Sequence, residues 1–177
     1  MVAKAERARQ MLEWCRAGHA RMMQPPLPMS GDWMILWAGT LGLLRGSLYA
    51  LKDVDAKRDP KIKAAQERWW AELGGKKGTS PPIFYSFIDN DRHQLLHMGE
   101  ITAGQSFTAN IYPGRIVIGN NRRMRPLPPN PAAPAKFNEI GYAMFGGHYQ
   151  GHDPRNLVAD AIAWIEQQLD QIEQDAA

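Results

Sequence analysis

The sequence predicts a mainly α-helical protein, a bundle of four to five helices with an inserted β-hairpin and a proline-rich strap. Most of the chain has apolar residues at the three-and-four spacing of a core-facing helix, and the stretch from about 99 to 150 does not. The 177 residues are 44% hydrophobic and 22% charged, which is typical of one domain with its own core. We therefore expect a single domain over 1–177, with the insertion at about 99–150.

Four helices are predicted before the insertion. Residues 3–22 are rich in helix-forming Ala, Glu, Arg, Met and Leu. Ser30-Gly31-Asp32 can begin the second helix, whose apolar stripe is Trp37, Leu41, Leu44, Leu48 and Leu51. The third runs from Lys61 to Leu73 between Asp59-Pro60 and Gly74-Gly75. The fourth begins near Ser80, and its predicted apolar face consists of Phe84, Phe87, Ile88, Leu95 and Met98.

The insertion combines strand-like and proline-rich segments. Gln105 to Ile111 and Arg115 to Gly119 are alternating or β-branched, with Pro and Gly placed between them for a tight turn, so they predict a hairpin. Glu139 to Phe145 predicts a third short strand. The prolines between Arg122 and Ala135 predict an extended surface strap. Two strands alone are marginally stable, so the hairpin must pack against the helices.

The last helix has the clearest start signal in the chain. Asp153 is followed by Pro154, a capping residue and then the residue favoured at the first helical position. The apolar stripe that follows has helical spacing and comprises Leu157, Ala161, Ile165, Leu169 and Ile172. We expect a long terminal helix that packs into the bundle.

Composition restricts the compartment more than the partner. The formal charge of +3 and the pI of about 9.1 permit a polyanionic partner such as RNA without indicating one. Cys15 is the single cysteine, so no internal disulfide can form, and we expect it to be a buried apolar group. No apolar region follows the charged N-terminus, and the apolar run Trp33 to Leu44 is shorter than the roughly 20 residues of a membrane span. A cytoplasmic protein without membrane contact is expected.

Arg92 and His97 are the candidate catalytic residues. Internal RNA cleavage needs a base for the 2′-hydroxyl proton, an acid for the leaving oxygen and a cation on the phosphate. Histidine titrates near neutral pH and can serve as base or acid. Arginine can grip two phosphate oxygens and stays charged. At about 100° per residue the two lie about 140° apart on a helix, so a second subunit is needed to bring such groups together. His93 lies one turn from His97 and is a candidate substrate-binding residue.

In these residues, Arg92-His93-Gln94-Leu95-Leu96-His97, the chain resembles the HEPN family. The family motif is an Arg, a polar residue that is usually Asn, Asp or His, and a His after four to six positions. The resemblance implies a helical bundle of four or five helices, commonly dimeric, and a metal-independent endoribonuclease of a toxin-antitoxin, phage-defence or RNA-processing system. It further implies a composite site at the dimer interface, with Arg92 on phosphate and His97 as acid or base, and no cofactor.

Three alternatives stay open. A basic cluster around the hairpin and strap can contact RNA phosphates, with Arg122 and Arg123 as candidate substrate-binding residues, or it can be solvated loop charge. The pairs His93/His97 and His148/His152 have metal-ligand spacing, although nothing in the sequence brings them together, and we assign no metal. The chain can also be a non-catalytic helical interaction protein, whose hairpin and strap bind a cognate protein partner.

Two acids on apolar faces also need explanation. Asp55 lies on the stripe of the second helix and Asp91 on the phenylalanine face of the fourth. An unpaired charge beside apolar surface is costly, so we expect each to have a partner. The expected partner of Asp91 is Arg45 or Arg92.

Overall fold

A computed structural model describes residues 3–24, 31–75, 82–111, 114–118 and 136–177 of the chain. The protein is mainly α-helical, as the sequence predicts, with a small antiparallel sheet inserted before the last helix. The helices are α1 (Glu6–Met22), α2 (Gly31–Ala50), α3 (Ala56–Arg58), α4 (Pro60–Gly75), α5 (Asn90–His97) and α6 (Pro154–Asp175). Two π-helical segments, π1 (Leu51–Asp55) and π2 (Ile83–Asp89), precede α3 and α5.

The core lies between α1, α2, α4, α5 and α6. Helix α1 packs on both α2 and α6, α4 packs on α6, and α5 packs on α2. The predicted stripes of α2 and α6 are buried, because their three-and-four spacing places each residue on the side that faces the bundle. Cys15 is also buried, and burial raises the pKa of its thiol to about 12, so the thiol is an apolar packing group and not a nucleophile.

The second predicted helix is one long rod of α2, π1 and α3. From Asp32 to Arg58 it is long and apolar enough to cross a membrane by length and composition alone. Half of its most apolar window is buried inside the protein, and Trp37 and Leu41 on the predicted stripe have no exposed surface. The rod therefore forms the centre of the bundle.

Asp55 ends π1 and interacts with the start of α1. Its two carboxylate oxygens accept hydrogen bonds from the backbone N–H groups of Arg7 and Ala8, at 3.0 and 2.9 Å. The first N–H groups of a helix have no partner inside it, and they attract negative charge. The prediction that buried Asp55 has a partner is confirmed, and the partner is backbone.

The fourth predicted helix is π2 followed by α5. Phe84, Phe87 and Ile88 are buried as predicted, and Leu95 is half-buried. The prediction for Met98 is wrong, because its side chain is 60% exposed. Helix α5 ends at His97, so Met98 is its C-cap residue, and Gly99, with φ of 67°, turns the chain away immediately afterwards.

The inserted sheet has three strands, β1 (Ala103–Ile111), β2 (Gly114–Ile118) and β3 (Lys136–Met144), in the order β2-β1-β3. The hairpin and the third strand are both confirmed, and both pairings are antiparallel. The end of the sheet near the bundle packs into the core through Ala103, Tyr142 and Met144. The predicted strap, 122–135, and the hairpin turn at 112–113 lie outside the described residues.

The loop after β3 folds back onto that strand before α6 begins. The N–H of Met144 donates to the carbonyl of His152, and the N–H of Gly151 donates to the carbonyl of Met144, both at 2.9 Å. Asp153 then accepts the N–H of Arg155 at 2.9 Å, which confirms the predicted N-cap of α6. The loop is therefore held closed at its base, and its first residues, Gly146 and Gly147, line a cavity together with α5.

Candidate functional site

Helix α5 presents one exposed arc that contains every candidate residue of the Arg-His motif. At about 100° per residue, the order around the helix is Arg92, Leu96, His93 and His97, over about 140°. Arg92 is half-buried, and the other three are exposed. Arg92 and His97 therefore stand at opposite edges of the same face, with an apolar residue and a second imidazole between them.

The three polar side chains of this arc have no ionic or hydrogen-bonding partner among the described residues. His93 and His97 contact each other, with ring centroids 5.1 Å apart. That contact confirms that the two histidines share a face, as the one-turn spacing predicts. The arc is thus available to a ligand or to a second chain.

Exposed apolar residues lie beside the histidines. Leu96 is 48% exposed, and after Met98 comes Ile101, which is 51% exposed. Three large apolar side chains within six residues of chain are unusual on a surface that only meets water. The arc and these residues together form a surface on which apolar and polar side chains are mixed, as they are where proteins contact each other.

The prediction that Asp91 pairs with Arg45 or Arg92 is wrong. Neither Arg45 nor Arg92 pairs with it, and among the described residues no group donates a hydrogen bond to its carboxyl, although the side chain is only 4% exposed. Arg45 Nε instead lies 3.2 Å from Asp89 Oδ1, without the alignment of a hydrogen bond. The Arg45 guanidinium also lies over aromatic rings of three elements, those of Tyr49, Trp70 and Phe84, and this holds it away from Asp91.

Asp91 lines a cavity of about 450 Å³ at the junction of α5 and the sheet. Asn90 and Gln94 of α5 form one wall with it. The segment before β1 contributes Glu100 and Thr102. Thr102 Oγ1 is buried and has no hydrogen-bond partner in the part of the chain that the structure describes. The cavity lining therefore contains two polar groups that no described residue satisfies.

The opposite wall begins at Phe145 and continues along the backbone of Gly146 and Gly147. The N–H of Phe145 donates to the carbonyl of Thr102 at 2.7 Å, which joins this wall to the segment before β1. The ring of Phe145 lies so close to Gly104 that a Cβ there would come within 2.8 Å of it. One backbone hydrogen bond to the segment before β1 and the packing of the ring on Gly104 of β1 thus hold Phe145 in place.

The electrostatic surroundings of the cavity are acidic. Burial raises the pKa of Asp91 to about 7, so near neutral pH its carboxyl is partly protonated. Burial also raises the pKa of Tyr149, and the nearby charges of Asp160 and Asp91 raise it further. With Glu100 at the wall, the site disfavours anions and favours ligands that bring N–H donors.

The histidine pairs do not form a metal centre. All five histidines of the chain lie in the described residues, and within those residues no group of three or more His, Cys, Asp or Glu is arranged to hold a metal ion. The rings of His148 and His152 contact the ring of Tyr149 in the loop after β3, whereas His93 and His97 contact each other on α5. Arg122 and Arg123, the candidate phosphate-binding residues, lie outside the described residues.

Sequence reasoning missed the cavity because its walls come from three distant segments. Glu100, Thr102 and Phe145 all fall in the predicted insertion, where no local pattern marks them as neighbours of α5. The usable signal was Asp91, an acid on an apolar helix face. It was interpreted as half of an ion pair, which is the commoner reason for a buried carboxylate. An acid in that position can equally indicate a ligand pocket.

No family model, curated protein or solved structure matches this chain. The chemistry of the α5 arc and of the cavity must therefore carry the functional argument.

Proposed function

We propose that this protein is a metal-independent endoribonuclease of the HEPN type, active as a homodimer. The observation that carries the proposal is the exposed arc of α5, on which Arg92 and His97 have no described partner and border an exposed apolar residue. Arg92 supplies the charge for phosphate, and His97 accepts or donates the proton. The mainly helical bundle agrees with the fold that the Arg-x4-His resemblance implies.

A second subunit is needed for a geometric reason. Arg92 and His97 of one chain stand at opposite edges of the arc, separated by about 140°. When two arcs meet about a two-fold axis that runs parallel to α5, residues of one edge face residues of the other edge on the partner. Arg92 of one subunit then comes beside His97 of the other. The exposed apolar side chains of Leu96, Met98 and Ile101 supply the apolar contact that such an interface requires.

In that arrangement the reaction is an internal transesterification. His97 of one subunit takes the proton of the 2′-hydroxyl, whose oxygen attacks the adjacent phosphorus. The bond to the 5′-oxygen breaks, and an imidazolium returns a proton to that leaving oxygen. Arg92 holds the phosphate oxygens while negative charge builds on them. The step needs no metal, and the second imidazole is that of His93.

The test is cleavage of a mixed RNA substrate by purified protein in excess EDTA. Arg92→Ala and His97→Ala should each lower the rate by about 10²-fold or more, since each removes a group that acts only in the transition state. Arg58→Ala on α3 and His19→Ala on α1 are the matched controls and should keep the wild-type rate. Equal rates in all five proteins, or no cleavage by the wild type, would contradict the proposal.

Subunit mixing tests whether the site is composite. A heterodimer of the Arg92→Ala and His97→Ala chains contains one damaged site and one site with both groups intact. Half of a random mixture is heterodimer, so mixing two inactive variants should restore about a quarter of the wild-type rate. If mixing restores nothing while the dimer still forms, each site lies within one chain. A dimer that does not cleave RNA at all would instead favour the non-catalytic interaction protein.

A further inference from the structure

The cavity beside α5 contains two buried polar groups without partners, and this needs a physical reason. The Asp91 side chain is 4% exposed and Thr102 Oγ1 is buried, and no described residue hydrogen-bonds to either. Each such group costs about 1–3 kcal/mol relative to a satisfied or apolar one. Asp91 and Thr102 both line the same space of about 450 Å³, which lies within the range of about 300–1,000 Å³ for small-molecule sites. A ligand that bonds to both groups removes the cost.

The walls define the chemistry of that ligand. A carboxylate accepts two parallel N–H groups, and the amides of Asn90 and Gln94 offer both donors and acceptors. The Phe145 ring and the Gly146-Gly147 backbone form a surface without charge, against which a flat ring can stack. Asp91 and Glu100 repel a phosphate. The ligand is therefore planar and rich in N–H donors, and any phosphate it carries stays outside.

We propose that this cavity binds a guanine base of single-stranded RNA, turned out of the strand. Guanine presents N1–H and the exocyclic N2–H side by side, one for each oxygen of Asp91. Its O6 and N7 acceptors suit the Thr102 hydroxyl and the amides of Asn90 and Gln94. Adenine has an acceptor at N1 and is repelled by a carboxylate, and uracil offers a single N–H on that edge. Bases read in this way are hydrogen-bonded on their Watson–Crick edge and stacked on an aromatic ring.

The position of the cavity connects it to the ribonuclease site, and this part of the inference rests on the proposed function. Around α5, His97 lies about 20° from Asn90 and about 60° from Gln94, so it stands at the border between the cavity and the exposed arc. A guanine held in the cavity has its ribose and phosphate at that border. The cavity then selects guanine as the nucleotide whose 2′-hydroxyl His97 deprotonates, and cleavage follows guanosine.

Direct binding tests the cavity without any cleavage. Calorimetric titration with guanosine, adenosine and guanidinium ion should give guanosine at least tenfold tighter binding than either of the others. Asp91→Asn replaces one acceptor with a donor and should weaken guanosine binding at least tenfold, and Thr102→Val should weaken it severalfold. Asp53→Asn removes an exposed acid elsewhere and should bind as the wild type does. Equal binding of guanosine and adenosine, unchanged binding by Asp91→Asn, or a preference for guanidinium would overturn the inference.

The same variants control for folding. Because both cavity groups lie buried without partners, Asp91→Asn and Thr102→Val should unfold at the wild-type temperature or above it while they lose guanosine. A loss of binding that follows a loss of stability in both variants would contradict the assignment.

Cleavage products separate this inference from the proposed function. If the protein cleaves RNA without a preference for guanosine, the guanine site is overturned and the proposed ribonuclease activity stands. If the protein binds guanosine but does not cleave RNA, the proposed ribonuclease activity is overturned and the guanine site stands.

Discussion

Asp55 and Asp91 are both buried acids on apolar helix faces, and they differ in whether hydrogen-bond donors lie beside the carboxyl group. Asp55 accepts two backbone N–H groups from the first turn of α1. Asp91 has no donor among the described residues and lines an open cavity. From sequence the two positions are equivalent, because each is one acid in an apolar stripe. The difference comes from which group of a distant segment lies opposite each carboxyl.

The pH dependence of stability should identify Asp91. Burial raises the pKa of its carboxyl to about 7, whereas an unfolded aspartate titrates near 3.9. Between these values the folded protein holds a proton that the unfolded chain has released. Stability therefore falls as the pH rises from about 4 to about 7, by at most about 4 kcal/mol, and the Asp91 contribution is constant outside that interval. Glu100, Tyr149 and Asp160 are the titratable groups around it.

Denaturant unfolding of the wild type and Asp91→Asn across pH 4 to 7.5 measures this contribution. The free energy of unfolding of the variant minus that of the wild type should increase as the pH rises and become constant above about 7. Asp53→Asn, which removes an exposed acid, should instead run parallel to the wild type. Parallel profiles for Asp91→Asn would mean that the carboxyl titrates at its ordinary pKa in the folded protein.

At the scale of elements, the close approach of α1 and α2 depends on small residues. A Cβ on Gly18 of α1 would lie 2.6 Å from Oγ1 of Thr40, a residue of α2 that is 2% exposed. A Cβ on Gly39 of α2 would meet nothing within 4 Å. The two glycines look alike in the sequence, since both interrupt strong helices. Only one of them lies at the helix contact.

Alanine at each glycine separates packing from helix propensity. Gly18→Ala should lower the free energy of unfolding by about 1–3 kcal/mol, because the short buried side chain of Thr40 cannot move aside. Gly39→Ala should raise it by about 0.5–1 kcal/mol, because alanine is the better helix former and has open space there. Thermal or denaturant unfolding measures both. Stabilisation by both substitutions would contradict the close contact of α1 with α2.

At the scale of the whole molecule, the proposed dimer requires a surface that can meet a second copy. The apolar residues next to the motif, Leu96, Met98 and Ile101, are each about half exposed or more. They belong to α5 and to the segment that follows it, beside the cavity and beside the histidines. One surface thus combines exposed apolar side chains, an arginine and two histidines, which is why we propose it as both the interface and the site.

Leu96→Glu should therefore convert the proposed dimer to a monomer, because it places like charges opposite each other across a two-fold contact. Light scattering coupled to size-exclusion chromatography measures the mass directly. Trp14→Glu is the matched control, since Trp14 is a similarly exposed apolar residue, 44% against 48%, on α1. Its mass should stay that of the wild type. A Leu96→Glu variant that remains a dimer and cleaves RNA would remove α5 from the interface.

The sequence by itself determined the helices, the three strands and the buried stripes, because these depend on spacing and capping within one segment. The stripes of α2 and α6 and the N-cap of α6 are of this kind. Only the tertiary structure decided the partner of Asp55, the isolation of Asp91 and the cavity shared with Thr102 and Phe145. Those depend on groups brought together from distant positions, which local patterns do not encode. The arc of Arg92, Leu96, His93 and His97 depends on both. Helical spacing in the sequence predicts which residues form its edges, and the packing of α5 on α2 decides that this side of the helix is left exposed.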